Sequence, residues 1–197
     1  MNKNIILAVV ALFFIEVTFG QEKVKQPITI GFQYFGELLF NPGLEIDYQF
    51  NIFEAIKIKK KRTLKHQLKF RPSITYYHLP NYTNNFIATP NFVYHLRTIN
   101  NERKRYFFLE PYIKFGYQKY IYIGEVYETS NDGFSERKLR GGNSFVFGGG
   151  LSFGGSIKPN RVDWIFGTEY LPEISERALY IHHPVLKAGI RLKIQRK

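Results

Sequence analysis

Residues 43–52 read GLEIDYQFNI, and they alternate without a fault. Leu44, Ile46, Tyr48, Phe50 and Ile52 fall on one parity; Glu45, Asp47, Gln49 and Asn51 fall on the other. In an extended strand, side chains two apart share a face. These ten residues therefore make a strand with one apolar and one polar face. Which of the two meets water decides the class of the protein.

The same period of two runs from Ile28 to Ile194, with no convincing amphipathic helix. Eight strands are predicted, over 28–39, 43–58, 64–77, 86–97, 106–123, 144–157, 162–171 and 184–194. Strands so evenly spaced, joined by Gly, Pro and Asn turns, indicate an all-β sandwich or barrel. An even number of antiparallel strands suits closure, which removes exposed edges.

The connections fall into two groups. Those after strands two, four and six are short and basic: KKKR at 59–62, NNERKR at 100–105 and KPNR at 158–161. Those after strands three, five and seven are longer and carry little positive charge: HLPNYTNN at 78–85, the stretch 125–143, and PEISERALYIHH at 172–183. In an up-and-down barrel the groups lie at opposite ends. Short turns at one end and long loops at the other are the asymmetry of a bacterial outer-membrane barrel.

Residues 1–20 stand apart. Lys3 gives a positive start, Ile5 to Ile15 are eleven apolar residues, and Thr18-Phe19-Gly20 precede Gln21. That is the pattern of a cleaved signal peptide. Eleven residues ended by Glu16 are too few to cross a bilayer of about 30 Å as a helix. The mature domain is then 21–197. It has no cysteine, so its own hydrogen bonding and burial must hold it. Aromatics make up 17% of the chain, chiefly Phe and Tyr, which favour strands. The net charge of +12 could suggest nucleic acid, but export argues against that partner and favours an anionic membrane surface.

A soluble barrel and a membrane barrel share this alternation, turned inside out, and volume separates them. The apolar parity carries about four large side chains per strand, among them Phe32, Phe70, Ile74, Phe92, Leu109, Ile113, Phe115 and Phe166. An eight-stranded interior is barely wide enough for side chains, or for one small ligand. About thirty bulky groups would overfill it; facing lipid, they need no such room. The other parity fits inside: Glu45, Asp47, Glu110, Asp163 and Glu169 against Lys69, Arg71, Lys114, Lys187 and Arg191. Buried charges need partners of opposite sign, and the numbers nearly match. Gly148, Gly150 and Gly154 on one strand leave space for neighbouring long side chains. Tyr34, Tyr76, Tyr117 and Tyr170 fall near the loop ends of strands, and Tyr94 and Trp164 toward the turn ends, as two interfacial girdles would.

At this point the chain resembles the small outer-membrane barrels of the OmpA transmembrane-domain and OmpX type. The resemblance is one of architecture and spans the whole mature chain. It implies an eight-stranded antiparallel up-and-down transmembrane β-barrel in the bacterial outer membrane. Two features depart from it. Such barrels usually finish on an aromatic residue that resembles an assembly signal, whereas this last strand ends at Ile194, before Gln195, Arg196 and Lys197. Pro72, Pro90 and Pro111 also interrupt three neighbouring strands, where bulges or a locally weakened wall are expected.

Chemistry has little purchase here. A lipid A deacylase would need His-x-Ser at the rim, and none of His66, His78, His95, His182 and His183 has a Ser two residues on. A palmitoyl transferase would need His, Asp and Ser gathered in the loops; Asp132, Ser130, Ser135 and His182 or His183 could be drawn together only on paper. Adjacent His182 and His183 point to opposite faces of a strand, which argues against one shared metal. GGNSFVFGGGLSFGG at 141–155 lacks the GK[ST] of a phosphate loop. The reading is a monomeric, non-enzymatic outer-membrane barrel with no cofactor or metal, in contact with outer-membrane lipid. A ligand or protein would meet the 125–143 loop in a structural or adhesion role. The alternatives are a secreted soluble barrel that binds a small apolar ligand, and a lipid-modifying barrel enzyme.

Overall fold

A computed structural model describes residues 28–37, 41–80, 82–123, 127–130, 133–136, 141–175 and 181–194. The signal peptide expected at 1–20 lies outside the described residues. The strands are β1 Ile28–Glu37, β2 Asn41–Ile58, β3 Arg62–Phe70, β4 Ser73–Leu79, β5 Thr83–Thr89 and β6 Asn91–Asn100. They continue with β7 Tyr106–Tyr122, β8 Tyr127–Ser130, β9 Gly133–Glu136, β10 Gly141–Lys158, β11 Val162–Ser175 and β12 Ile181–Ile194. All pairings are antiparallel. β1 pairs with β2 on one side and with β12 on the other, so the sheet closes on itself.

Ten strands make eight staves, because β3 runs on into β4 and β5 into β6. The pairing Phe70↔Phe92 below the break and Ser73↔Thr89 above it keep one register. Between them, Arg71 and Asn91 exchange N–H···O bonds of 2.8 and 3.2 Å. The fold is a closed, eight-stranded, antiparallel up-and-down barrel. β8 and β9 form a separate hairpin within the 125–143 stretch.

The prolines do not cause the expected bulges. The unbroken register sets Pro72 opposite Pro90, each turning its missing donor away from the other. Pro72 still accepts from Tyr48 N–H at 3.0 Å but returns nothing. Pro111 lies in mid-β7, and pairing with β6 lapses there, between Val93↔Tyr112 and Leu96↔Leu109. The wall is thus weakened along the seam of β5 and β6 with β7, without an inserted residue. The register shifts lie elsewhere, between Asn51 and Phe53 in β2 and between Ser156 and Lys158 in β10.

Burial follows parity. Along β7, Tyr106, Phe108, Glu110, Tyr112, Lys114 and Gln118 are buried, while Phe107, Leu109, Ile113, Phe115 and Tyr117 are exposed. Outward rings pack across staves: Phe50 to Phe70 to Phe92 at centroid distances of 5.2 and 5.4 Å, then Phe92 to Phe115 at 6.3 Å. Such cross-strand aromatic pairs each stabilise a sheet by roughly 0.2–1 kcal/mol. Inside, β10 is thinned to admit its neighbours. A Cβ on Gly150 would lie 2.6 Å from the Tyr112 hydroxyl, and one on Gly154 would lie 2.4 Å from the Phe108 ring.

Gly154→Val should therefore destabilise the barrel by about 1–3 kcal/mol or more, since the ring and a strand carbonyl must both shift. Urea unfolding in detergent micelles, with heat-modifiable gel migration as the measure of closure, reads this. A variant as stable as the parent contradicts the packing described.

Candidate functional site

The bore is the first candidate, because that is where the charged side chains converge. Glu45 on β2, Lys114 on β7, Glu169 on β11 and Lys187 on β12 are fully buried and alternate in sign. Lys114 Nζ lies 3.2 Å from Glu45 and 2.8 Å from Glu169; Lys187 Nζ lies 2.8 Å from Glu45 and 2.5 Å from Glu169. Each carboxylate also accepts from a hydroxyl, Glu45 from Thr75 at 3.1 Å and Glu169 from Tyr112 at 2.8 Å. Two anions held between two cations need no outside counter-charge.

A second group centres on Glu110. Arg71 Nη1 and Arg191 Nη1 reach its Oε2 at 3.3 and 2.7 Å, His95 Nδ1 meets its Oε1 at 2.5 Å, and Lys69 stands at 3.9 Å. Aromatic faces share the surplus positive charge: Arg71 lies 4.4 Å above the Tyr112 ring centroid and Arg191 lies 5.7 Å from that of Phe108. Asp47 is held by amides, Gln33 Nε2 at 2.5 Å and Gln49 Nε2 at 3.1 Å. Asp163 pairs with Lys193 at 2.5 Å and accepts from the Tyr106 hydroxyl.

Apolar side chains close the bore toward both ends. Phe35, Tyr77, Ile87, Val146, Leu171 and Val185 cluster toward the loop end, and Tyr106, Phe108 and Ile165 toward the turn end, with Ile99 against them. Near the loops, His183 sits between two carboxylates, with Nε2 3.0 Å from Glu173 and Nδ1 against Glu37. His182, its neighbour, points outward and stacks on Tyr170 at 5.6 Å.

The five histidines thus have assigned partners. His66 bonds Tyr94, His78 bonds Asn84, His95 bonds Glu110, His182 bonds Tyr170, and His183 bonds its two glutamates. In each of these bonds the ring nitrogen meets something other than a serine hydroxyl. Asp132 lies outside the described residues; Ser130 and Ser135 belong to the β8–β9 hairpin. Among the described residues, no three His, Asp or Glu side chains converge on a point that could hold a metal.

The outer surface is the second candidate. Tyr34, Tyr76, Tyr117 and Tyr170 are exposed toward the loop end, Tyr94 is exposed and Trp164 half-buried toward the turn end. Between them the wall is apolar, with Ile74 65% and Ile113 62% exposed. Charged groups inside and bare aliphatic and aromatic groups outside are the arrangement of a transmembrane barrel, since water would require the reverse. At the turn end, residues 59–62, 101–105 and 158–161 are exposed and mostly cationic.

Solved structures to which the chain is similar include the N-terminal β-barrel domain of Pseudomonas aeruginosa OprF, at 11% identity and a TM-score of 0.44, covering 86% of this chain and 98% of that one. Ail of Yersinia pestis in a phospholipid nanodisc is 14% identical with a TM-score of 0.41, covering 85% and 99%. The outer-membrane enzyme PagL is 12% identical with a TM-score of 0.40, covering 84% and 99%. The likeness is one of architecture. No protein-family model and no curated protein sequence matches the chain.

Parity alone singles out the ten charged residues at 45, 47, 69, 71, 110, 114, 163, 169, 187 and 191, but it passes over groups that complete their shells. Gln33, Tyr112 and Lys193 share their face, and Gln33 lies directly across from Glu45 in the β1–β2 register. Parity combined with hairpin register could have found them. Glu37 lies inside the first predicted strand but was not singled out, and Glu173 and His183 were hidden in the stretch 172–183, which looks like loop.

Removing Glu110 should leave Arg71, Arg191 and Lys69 with no carboxylate at that point. Glu110→Ala is expected to cost about 3–5 kcal/mol, the penalty for breaking a buried pair. Glu54 pairs with Lys65 at 3.0 Å where both are partly exposed, so Glu54→Ala should cost below about 1 kcal/mol. Equal losses on urea unfolding would show that the bore is wet.

Proposed function

We propose that the chain is a monomeric, non-enzymatic barrel of the bacterial outer membrane, with a structural or adhesion role exerted through its loops. The observation that carries this reading is the inversion of polarity: Glu45 and Glu110 are fully buried while Ile74 and Ile113 are largely bare. No helix among the described residues is of spanning length, and a membrane crossed by β-strands is characteristically an outer membrane. The aromatic residues at 34, 76, 94, 117, 164 and 170 serve as its interfacial girdles, and the charged side chains of the bore as its rigid core.

Three features support a binding role rather than transport or catalysis. Ion pairs and two apolar clusters occupy the bore, which counts against the passage of solute. The imidazoles are committed to carboxylates, tyrosines and an asparagine. The 125–143 stretch joins β7 to β10 and includes the β8–β9 hairpin, and loops on a rigid scaffold are where barrels place recognition. The same ion pairs count against an apolar ligand in the cup of a soluble barrel.

Cell fractionation tests the reading. The protein should stay with outer membranes through an alkaline wash and be released by detergent; recovery from the aqueous periplasm ends the proposal. Reconstituted in planar bilayers, it should show no steady conductance. Ile113→Arg should cost roughly 2–4 kcal/mol in lipid vesicles, the midplane penalty for a cation.

A further inference from the structure

Cations on the outer face gather at the turn end, and among the described residues they gather on one flank. In the β2–β3 hairpin Lys57 lies opposite Leu64, and Lys59 N–H bonds Arg62 O at 2.9 Å. Leu64 lies opposite Thr98 of β6, and Thr98 opposite Phe107 of β7. Phe53, Leu68 and Phe107 are exposed on the outer parity of these staves. Lys57, Lys59, Arg62 and Arg105 carry the same parity, and all four are exposed. Glu54 has the opposite parity and is already paired with Lys65. The turns 59–62 and 100–105 hold four and three cations against the single acid Glu102. On the opposite flank the outward side chains at this level are Ile157, Leu192 and Ile194, all exposed.

The cationic flank has a fixed frame. Asn101 ties its two turns together: its N–H donates to Lys61 O at 3.2 Å, its Nδ2 donates to Lys59 O at 3.1 Å, and its Oδ1 accepts from Thr63 at 2.8 Å. Asn100 N–H closes the second turn on Arg105 O at 2.9 Å.

Depth matters as much as sign. Phe53, Leu68 and Tyr94 form one row across β2, β3 and β6. Tyr94 belongs to the turn-end girdle, and its hydroxyl lies 3.0 Å from His66 Nδ1. Lys57 stands two rows nearer the turn. Four residues of a strand tilted by about 40° advance about 10 Å along the barrel axis. That distance carries the ammonium groups from the edge of the hydrocarbon into the headgroup layer. Between the two rows stands Ala55, opposite His66 and exposed, so the surface dips between Phe53 and Lys57.

We propose that the outer foot of β2, β3, β6 and β7 binds an anionic glycerophospholipid of the inner leaflet, its phosphate on Lys57, Arg62 and Arg105 and one acyl chain over Ala55. The parity of the cations favours a lipid over an acidic protein segment, because it is the parity of the apolar wall directly above them. The face does not depend on what lies along the edge of β2, since a strand paired there would leave the outward side chains where they are. The site presupposes the outer-membrane barrel proposed above and adds to it a preference among lipids.

The chain has no cysteine, so a single label can be placed on either flank. Leu96→Cys puts it beside His66, and Leu192→Cys puts it on the opposite side. Each variant, carrying bimane, is reconstituted in phosphatidylcholine vesicles with a minor share of phosphatidylglycerol, one of the two lipids being brominated on its acyl chains. The ratio of quenching by phosphatidylglycerol to quenching by phosphatidylcholine should be about fivefold higher at 96 than at 192, the weight of one well-placed cation at an anionic surface. Lys57→Gln should remove most of that preference, and raised salt should weaken it in the parent. Equal ratios at the two labels would overturn the site and leave the barrel reading standing. A preference untouched when Lys57, Lys59, Arg62 and Arg105 are all replaced by Gln would also overturn it. Displacement of the brominated lipid by inorganic phosphate or by a polyaspartate peptide would do the same, assigning the cations to a free anion or to a protein. No quenching by either lipid at either label would mean that the chain does not enter the bilayer, and both readings would fall.

Discussion

Lys114 and Lys187 each lie between Glu45 and Glu169, and the rest of the barrel depends on that square of charge. Outside, the wall gains little from choosing one register over another, because lipid tails are as apolar as the side chains they meet. Inside, the choice is severe. A slip of one residue in β2 would turn Glu45 and Asp47 to lipid and bring Leu44 and Ile46 into the bore. A carboxylate facing hydrocarbon costs a few kcal/mol at the least, and the lysines left behind lose their partners as well. The ion pairs thus act as a register lock. Their net contribution to stability, after desolvation, is a separate and smaller quantity.

The same logic explains how the wall tolerates its prolines. Backbone pairing of β6 with β7 lapses at Pro111, at the level where His95 and Glu110 stand opposite each other. There the His95 and Glu110 side chains meet at 2.5 Å across the seam, and Arg71 reaches the same glutamate from the junction of β3 and β4. A side-chain bridge joins the two staves where the ladder does not. Pro72 and Pro90, opposite each other, leave the Arg71–Asn91 pair between their staves intact and place their lost donors on the seams either side. The weak line in the wall is thereby backed by Glu110, on which Arg71, His95, Arg191 and Lys69 converge.

Strand alternation makes the fold legible from the sequence, and the closed eight-stave barrel bears it out. GLEIDYQFNI assigns each residue to a face before any partner is known. The partners themselves are another matter. Lys187 and Glu45 are 142 residues apart and meet because β12 and β2 both pair with β1, opposite Phe35 and Gln33, a closure that local periodicity does not contain. Of the two outcomes expected at the prolines, the weakened wall is found and the bulge is not, and only the β4–β5 register reveals Pro72 and Pro90 as a facing pair. Strand ends were set short wherever polar residues were taken as loop. Thr83 and Asn85 are buried at the mouth of the bore, as are Glu173 and His183, and a strand that ends in a polar lumen carries such residues on its inner face. Polarity signals a loop only where the strand would otherwise face apolar surroundings.

A bore closed by its own side chains moves the question of function to the two ends, and the ends differ in kind. At the loop end, the His183 imidazole and its two glutamates hold β1, β11 and β12 together. At the turn end, the connections are too short to vary, and what they offer is charge and backbone. Asn101 fastens two of the turns to each other through its bonds to Lys59, Lys61 and Thr63, so the cationic end has a common backbone frame.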